Sequence, residues 1–223
     1  MFGASSGICG NNIMMKRIFD LVFSLLGIGA LLPLFFVLGF LIRRDGGPAF
    51  FTQERVGKDG RTFHFIKFRS MVMHAERLGS QVTASHDPRI TGVGRVLRRT
   101  KLDELPQLLN VFAGDMSIVG PRPEVPYYVA KWSEEDRRVV LSVKPGITDY
   151  ATLFYHDEQA VLAKTEDPEK TYLDVVMPHK LEMYRRYVSD RSFGLDLRLV
   201  AATLGKMVGR NSSGLATEPI EKI

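Results

Sequence analysis

The sequence predicts a helix-rich single domain of the α/β (α+β) class, with a small β-hairpin and an N-terminal membrane helix. Three observations support this prediction. A chain of 223 residues suits one domain with a substantial core. Residues 21–42 carry no charged side chain. Beyond them, two alternating segments flank a turn rich in Gly and Asp, and later segments place apolar residues at helical spacing.

The uncharged stretch is 22 residues long, enough for a helix to cross a hydrocarbon core of about 30 Å. It lacks the cleavage site of a signal peptide, and Arg43 follows it at once. Lys16 and Arg17 precede it, so the positive-inside rule draws both ends to the cytoplasm. A helix that breaks near Pro33 and returns would keep both basic ends on the cytoplasmic side. A single membrane pass with a proline kink is the alternative. The basic residues at the two ends do not distinguish between these two topologies.

The hairpin is predicted from strands at 50–53 and 61–71 around a turn at 57–60. Alternation along the second strand places Lys67 and Arg69 on the same face. The two cations belong either to a binding site or to a solvated basic edge that discourages aggregation, and the edge is the commoner case.

Two adjacent carboxylates, Asp103 and Glu104, follow a basic run at 95–101. Neighbouring carboxylates repel each other, so a pair kept ionised needs a metal ion or fixed positive charge nearby. This pattern points to phosphate chemistry. The structural alternative is a helix start, because Thr100 and Asp103 fit a capping box and Pro106 suits a first turn.

Downstream, Arg122 lies between Pro121 and Pro123, whose rings stiffen the backbone and suit the arginine to bidentate phosphate binding. Helices are predicted at 125–141, 172–191 and 193–208. The polar stretch 149–170 between them is predicted to be rich in loops, and it is a candidate region for substrate specificity.

Composition narrows the classes of partner. The formal charge of +5 favours nucleic acid, acidic lipid or phosphorylated small molecules. The single cysteine, Cys9, excludes an intramolecular disulfide and a cysteine zinc cluster. The five histidines show no metal-ligand spacing.

Seven motifs then occur in a fixed order: KRIFD (16–20), FTQ (51–53), FIKFRSM (65–71), LDELPQ (102–107), GDMS (114–117), GPRP (120–123) and KPGIT (144–148). Together they resemble the bacterial sugar transferases, the monotopic polyprenyl-phosphate phosphoglycosyl transferases, and the resemblance runs from about residue 16 to 208. It implies transfer of a phosphosugar from a nucleotide diphosphate sugar, with UDP expected, to polyprenyl (undecaprenyl) phosphate. Such a transfer is the first membrane step of polysaccharide or glycoconjugate assembly.

The resemblance also implies residue roles. Asp103 corresponds to the nucleophile, which would form a phosphosugar-aspartyl intermediate. Mg²⁺ is implied at Asp103 and Glu104, with the role of Glu104 open between metal binding and tuning of the acceptor. Phosphate oxygens would be held by four further side chains: Lys67, Arg98, Gln107 and Arg122.

The family's re-entrant helix favours a break at Pro33, although Leu32 stands where a small polar residue is usual. Residues 149–152 also depart from the usual sequence, so the sugar stays open. The expected organisation is a disordered leader (1–15), a re-entrant membrane helix (16–44), a catalytic domain (45–210) on the cytoplasmic face of the bacterial inner membrane, and a disordered tail (211–223).

Two other interpretations compete with the enzyme. A membrane-anchored basic adaptor for acidic lipid or nucleic acid fits the charge, but the carboxylate pair among the cations would repel a phosphate backbone, and we expect no nucleic acid partner. A soluble protein with an apolar core helix is the third interpretation.

Overall fold

The computed structural model describes residues 6–44, 46–75, 78, 87–155, 158, 162 and 165–207, with the backbone alone described for 6–13. Within these residues the mixed α/β class is confirmed. Helices dominate, and two small two-stranded sheets accompany them. The predicted tail at 211–223 and the first five residues of the predicted leader lie outside the described residues.

The N-terminal helix α1 runs from Ser6 to Arg43 and has 38 residues. Residues 6–15 of the expected leader thus form the first turns of α1. The helical structure also continues through Pro33 without interruption. A proline removes one backbone hydrogen bond, and the helical bonds around it are kept. Whether α1 enters a membrane and returns stays a prediction.

One face of α1 packs on the rest of the domain at helical spacing, where Asp20, Ser24, Leu38 and Ile42 are all buried. The opposite face exposes large apolar side chains: Ile18, Val22, Leu25, Leu26, Leu32, Phe36, Val37 and Phe40. In the described part of the chain, Met14–Arg43 is the one helix long and apolar enough to cross a membrane. An exposed apolar face of this size fits contact with lipid.

The predicted hairpin is confirmed. Strand β1, Phe50–Val56, pairs antiparallel with β2, Thr62–Phe68. The connection contains Asp59 and Gly60, both with positive φ. The strand ends at Phe68, so alternation does not govern Arg69. Arg69 donates to the carbonyls of Pro48 and Ile42, whereas Lys67 pairs with Glu104, so the two cations have different partners.

The carboxylate pair follows helix α2, Gly92–Thr100, which Thr91 caps through the amide of Gly94. Thr100 is the last residue of α2, and its hydroxyl donates to the Val96 carbonyl. The capping box expected from Thr100 is therefore wrong. Thr100 and Asp103 have the sequence spacing of a capping box, but Thr100 already belongs to the preceding helix.

Helix α3, Gln107–Ala113, follows the pair and ends at Gly114, whose φ of 98° favours glycine. A short parallel pair then forms between β3, Ser117–Val119, and β4, Gly146–Thr148. A Cβ on Gly146 would lie 2.1 Å from the Gly120 nitrogen, so the two backbones approach closely only because both residues are glycine.

The single helix predicted at 125–141 is wrong. The structure has α4, Pro126–Val129, and α5, Glu134–Val140. Ser133 starts α5 by accepting a hydrogen bond from the Asp136 amide, and this N-cap separates the two helices. Trp132 lies buried between them.

The described elements after β4 are helical. Helix α6 spans Tyr150–Phe154 and α7 spans Pro168–Thr171. A π-helical turn, Tyr172–Val176, leads into α8, Met177–Asp190. Helix α9, Phe193–Met207, confirms the last predicted helix within the described residues. One apolar core joins α8 to Trp132 and the end of β1, and a second joins α9 to β3, α3 and α1.

Five polar residues fix α1 to the domain, and we call them the anchor cluster: Lys16, Asp20, Ser117, Tyr187 and Asp196. Lys16 Nζ donates to Asp196 at 2.5 Å and to the Val119 carbonyl at 2.9 Å. Asp20 accepts from the Ser117 hydroxyl and the Ile118 amide. Beside this cluster, Arg17 donates to the carbonyls of Val111 and Phe112 at the end of α3.

Candidate active site

Asp103 and Glu104 lie on a 3₁₀ turn, Leu102–Glu104, between α2 and α3. The turn begins after Lys101, whose φ of 58° reverses the chain direction. This sharp connection places the two carboxylates side by side at the junction of two helices.

Glu104 is held by two cations. Both guanidinium terminal nitrogens of Arg122 donate to it, Nη1 at 3.2 Å and Nη2 in a shorter contact. Lys67 Nζ lies 3.5 Å from the same carboxylate. Burial would raise the pKa of Glu104, but Arg122 and Lys67 outweigh it and hold the pKa well below its usual range. Glu104 is therefore an anion held in place by Arg122 and Lys67.

Asp103 has the opposite environment. Its side chain is buried, and its Oδ1 atom has no hydrogen-bond partner among the described residues. Burial raises the pKa of Asp103, and the charge of Lys67 opposes the rise. A buried carboxylate oxygen without a donor is costly to keep, so this oxygen is available to a ligand or a reaction.

Lys67 and Arg122 also share one aromatic neighbour, because both cations lie over the Phe65 ring, at 5.1 Å and 6.0 Å from its centroid. Burial lowers the pKa of Lys67 to about 8, although Glu104 opposes the shift. Lys67 thus loses its charge closer to neutral pH than an ordinary lysine.

Arg98 reaches the same place from the last turn of α2. Its Nε and Nη1 atoms are buried without a hydrogen-bond partner in the part of the chain that is described. Gln107, the first residue of α3, is fully buried and both of its amide atoms are likewise unpartnered. Three side chains in this region therefore hold unfilled hydrogen-bonding capacity.

A cavity of about 410 Å³ opens beside the turn. Five of the six predicted site residues line it, and we call these five the dyad cluster: Lys67, Arg98, Asp103, Glu104 and Arg122. Gln107 is absent from the cavity lining among the described residues and lies behind it. The structure therefore brings the predicted cations and carboxylates together, and the roles proposed for them stay predictions.

One wall of the cavity is apolar and includes the membrane helix. Phe23, Gly27 and Leu31 of α1 line it, together with Leu108 of α3 and Leu204 of α9. The charged cluster therefore shares its cavity with apolar side chains of α1. Such a cavity suits an amphiphilic ligand with an anionic head and an apolar tail.

Another part of the lining is polar, and reasoning from sequence found it only in part. It includes five residues, which we call the far wall: Thr152, Tyr155, Glu158, Lys180 and Tyr184. The stretch 149–170, predicted as a region for specificity, supplies the first three. Lys180 and Tyr184 lie on α8, for which the sequence predicted only a helix. Their position in the cavity follows from the packing of α6 against α8.

Comparison with known proteins decides the family. A family model for the bacterial sugar transferases matches residues 11–210. The chain belongs to the bacterial sugar transferase family. The matched range takes in α1, the hairpin and the whole dyad cluster, so the family is shown for the same residues that build the cavity.

Individual relatives agree. A Bacillus subtilis (strain 168) protein with the provisional name undecaprenyl-phosphate N-acetylgalactosaminyl 1-phosphate transferase is 47% identical over 124 residues, covering 55% of this chain and 69% of its own. An undecaprenyl-phosphate galactose phosphotransferase of Salmonella typhimurium is 40% identical, covering 64% of this chain and 35% of its own.

The UDP-glucose:undecaprenyl-phosphate glucose-1-phosphate transferase of Escherichia coli K12 is 35% identical over 203 residues, which is 89% of this chain and 41% of the relative. The chain thus spans less than half the length of the Salmonella and Escherichia proteins. The three names cover three different sugars.

Proposed function

We propose that this protein transfers a sugar phosphate from a UDP-sugar to undecaprenyl phosphate and releases UMP. The observation that carries the proposal is the free Oδ1 atom of Asp103, buried at a cavity edge beside Lys67, Arg98 and Arg122. Family membership and the names of the relatives supply the substrate classes.

The contrast between the two carboxylates supports Asp103 as the nucleophile. Glu104 accepts hydrogen bonds from Arg122 and faces Lys67, so its oxygens are engaged. Asp103 keeps one oxygen without a partner. An ionised carboxylate needs no base to remove a proton before it attacks.

In the first step, the Asp103 oxygen attacks the sugar-linked phosphorus, and a new O–P bond forms as the bond to the UMP oxygen breaks. UMP leaves with the electron pair of that bond. In the second step, an oxygen of undecaprenyl phosphate attacks the same phosphorus. The aspartyl O–P bond breaks, the carboxylate is restored, and lipid-linked diphosphosugar is released.

The cations suit both steps because charge accumulates on phosphate oxygens in each transition state. Arg98 has two buried nitrogens without partners, which are free to donate to such oxygens. Lys67 and Arg122 are already held by Glu104, so they meet the substrate in a fixed geometry.

Magnesium fits this site through Asp103. Mg²⁺ in phosphate-transfer sites commonly takes one or two carboxylates, with substrate phosphates and water as its other ligands, and the free Asp103 oxygen matches that need. Among the described residues no cluster of three or more His, Cys, Asp or Glu could hold a metal alone. When bound, the ion would neutralise phosphate charge. Glu104 is less suited to bind the metal ion because its carboxylate already pairs with Arg122 and Lys67.

The acceptor is proposed to enter along the apolar wall. Its lipid chain would lie against Phe23, Leu31 and Leu204, with its phosphate at the dyad cluster. Both ends of α1 contact the same domain, through Lys16 at one end and the Ile42 carbonyl at the other. This shared attachment supports a helix with both ends on the cytoplasmic face of the inner membrane.

Labelling tests that topology. Cysteines introduced in a Cys9→Ser background at Met15 and Ala49 should both react with a membrane-impermeant reagent from the cytoplasmic side. Reaction of the two positions from opposite sides would contradict the proposed attachment.

The activity is tested on the full chain in nanodiscs with undecaprenyl phosphate, Mg²⁺ and a panel of radiolabelled UDP-sugars. UMP release should require a matching donor, and the label should move to lipid. Without acceptor, a stoichiometric burst of UMP should accompany a gain of one sugar phosphate in protein mass. Asp103→Asn is the control and should give neither, whereas normal transfer by that variant would overturn the mechanism.

A further inference from the structure

The far wall is the polar part of the cavity lining. It is built by α6 and the segment after it, which supply Thr152, Tyr155 and Glu158, and by α8, which supplies Lys180 and Tyr184. The transfer mechanism uses none of these side chains, yet they line the same cavity as Asp103.

An ion pair sits at the centre of this wall. Lys180 Nζ donates to Glu158 at 3.0 Å. The Lys180 side chain is only 8% exposed, whereas that of Glu158 is 29% exposed. Lys180 also lies over the Tyr172 ring, 5.2 Å from its centroid. Burying a lysine in a cavity wall costs desolvation, so its placement there calls for an explanation beyond packing.

The neighbouring hydroxyls are placed by adjacent side chains. Tyr155 Oη is 2.8 Å from His179 Nδ1, which orients the tyrosine. The Thr152 hydroxyl is buried beside the Asp149 carboxylate. The wall thus offers an ammonium, a carboxylate and oriented hydroxyls within one polar surface.

This surface is close to the dyad cluster. Burial lowers the pKa of Arg122, but the carboxylate of Glu104 outweighs it, and the charge of Glu158 acts in the same direction as Glu104. Tyr184 lines the cavity between α8 and the cluster and interacts with both Glu158 and Arg122. A group attached to a phosphorus held at the cluster would therefore come within reach of the wall.

The chemistry of the wall distinguishes between the parts of the donor. A lysine that is already paired with a carboxylate adds no net charge, and Glu158 would repel a second phosphate. Vicinal sugar hydroxyls are each donor and acceptor, and they match an ammonium beside a carboxylate. The wall is thus better suited to the neutral, hydroxyl-rich part of the donor.

We propose that the Lys180–Glu158 pair, with Thr152 and Tyr155, binds the sugar ring of the donor and determines which sugar is transferred. This inference rests on the proposed transfer reaction. It assigns specificity to the far wall and leaves the chemical step to the dyad cluster.

The test compares Lys180→Met and Glu158→Gln with wild type on UDP-glucose, UDP-galactose and their N-acetylamino counterparts. The readout is kcat/KM for UMP release with each donor. Lys180→Met keeps the buried stem, and the partly exposed Glu158 can be solvated. Arg185→Met is the matched control, because Arg185 lies on the same helix and pairs with Asp136 outside the cavity.

We expect the ratio of kcat/KM between the best donor and its epimer to fall by about tenfold or more in both variants, since a buried polar group that loses its sugar partner is what discriminates. The ratio should be unchanged in Arg185→Met. An equal loss for all donors, or no loss, would overturn the role in specificity while the transfer reaction stands. Wild type that releases UMP from no donor would overturn both proposals.

Discussion

The anchor cluster and the dyad cluster, both buried and charged, differ in how completely their side chains are hydrogen-bonded. In the anchor cluster, Lys16, Asp196 and Tyr187 bond one another, and no side-chain atom of the cluster is both buried and unpartnered in the described chain. In the dyad cluster, atoms of Asp103 and Arg98 are buried without a partner. Complete pairing suits the anchor cluster to attachment, and the unpartnered atoms suit the dyad cluster to ligand binding.

The largest expected effect comes from Asp103→Asn in the dyad cluster. We expect transfer to fall by at least about 10³-fold, because the nucleophilic oxygen is replaced by an amide. The unfolding temperature should stay the same or rise, since a poorly paired buried charge has been removed. Radiolabel transfer and thermal unfolding on the same preparation check both parts. A folded Asp103→Asn variant with substantial activity would show that the unpartnered Asp103 oxygen is not needed for transfer.

Arg122→Lys is expected to have the next largest effect. A lysine cannot make the two-point contact with Glu104, so we expect kcat/KM to fall by about 100-fold, as for loss of one oriented donor. Arg185→Lys is the control, because Arg185 lies outside the cavity lining described. Equal activity of the two variants would show that geometry at Arg122 does not matter.

The pH dependence should separate the charged groups. Because burial lowers the pKa of Lys67 to about 8, kcat/KM should fall above pH 8 as the ammonium is lost, by about tenfold per pH unit at most. The raised pKa of Asp103 means that activity falls at low pH earlier than for an ordinary aspartate.

Lys67→Arg is the variant that assigns the upper limb, since an arginine stays charged throughout this range. The fall above pH 8 should disappear in this variant, whatever its overall rate. Persistence of the same fall would assign the limb to another group.

The smallest effect on activity is expected from Asp196→Asn, the same chemical change made in the anchor cluster. Lys16 would lose its ion pair, and we expect a loss of about 3 kcal/mol in the free energy of unfolding. The activity of the folded fraction should stay close to wild type. A selective loss of activity without a loss of stability would show that the anchor cluster also serves the reaction.

The sequence predicted much of the dyad cluster. Asp103 and Glu104 are adjacent in the chain, and the family resemblance supplied the phosphate-binding role of Lys67, for which alternation along β2 alone favoured a basic edge. Pairing of Glu104 with Arg122 could not be derived, because it depends on where the turn and the proline-flanked arginine meet in space. The resemblance had already favoured Asp103 as the nucleophile, and that pairing adds a physical reason.

Local patterns were predicted best where the chain is regular. The hairpin and α9 follow from strand and helix periodicity. The helix continues through Pro33 because helix continuity depends on many bonds besides the one that proline removes. Lys16 and Arg17 were interpreted through membrane topology, whereas the structure uses them for an ion pair and for the end of α3.

Helix α1 serves as a wall of the cavity through Phe23, Gly27 and Leu31, and its first turns are fastened beside β3 and α3. Helix α1 is therefore part of the cavity itself and more than a tether. A water-soluble fragment starting after residue 44 would lose its acceptor-side lining and the cap on α3 together. Detergents or lipids that displace α1 would likewise remove part of the cavity lining and lower turnover.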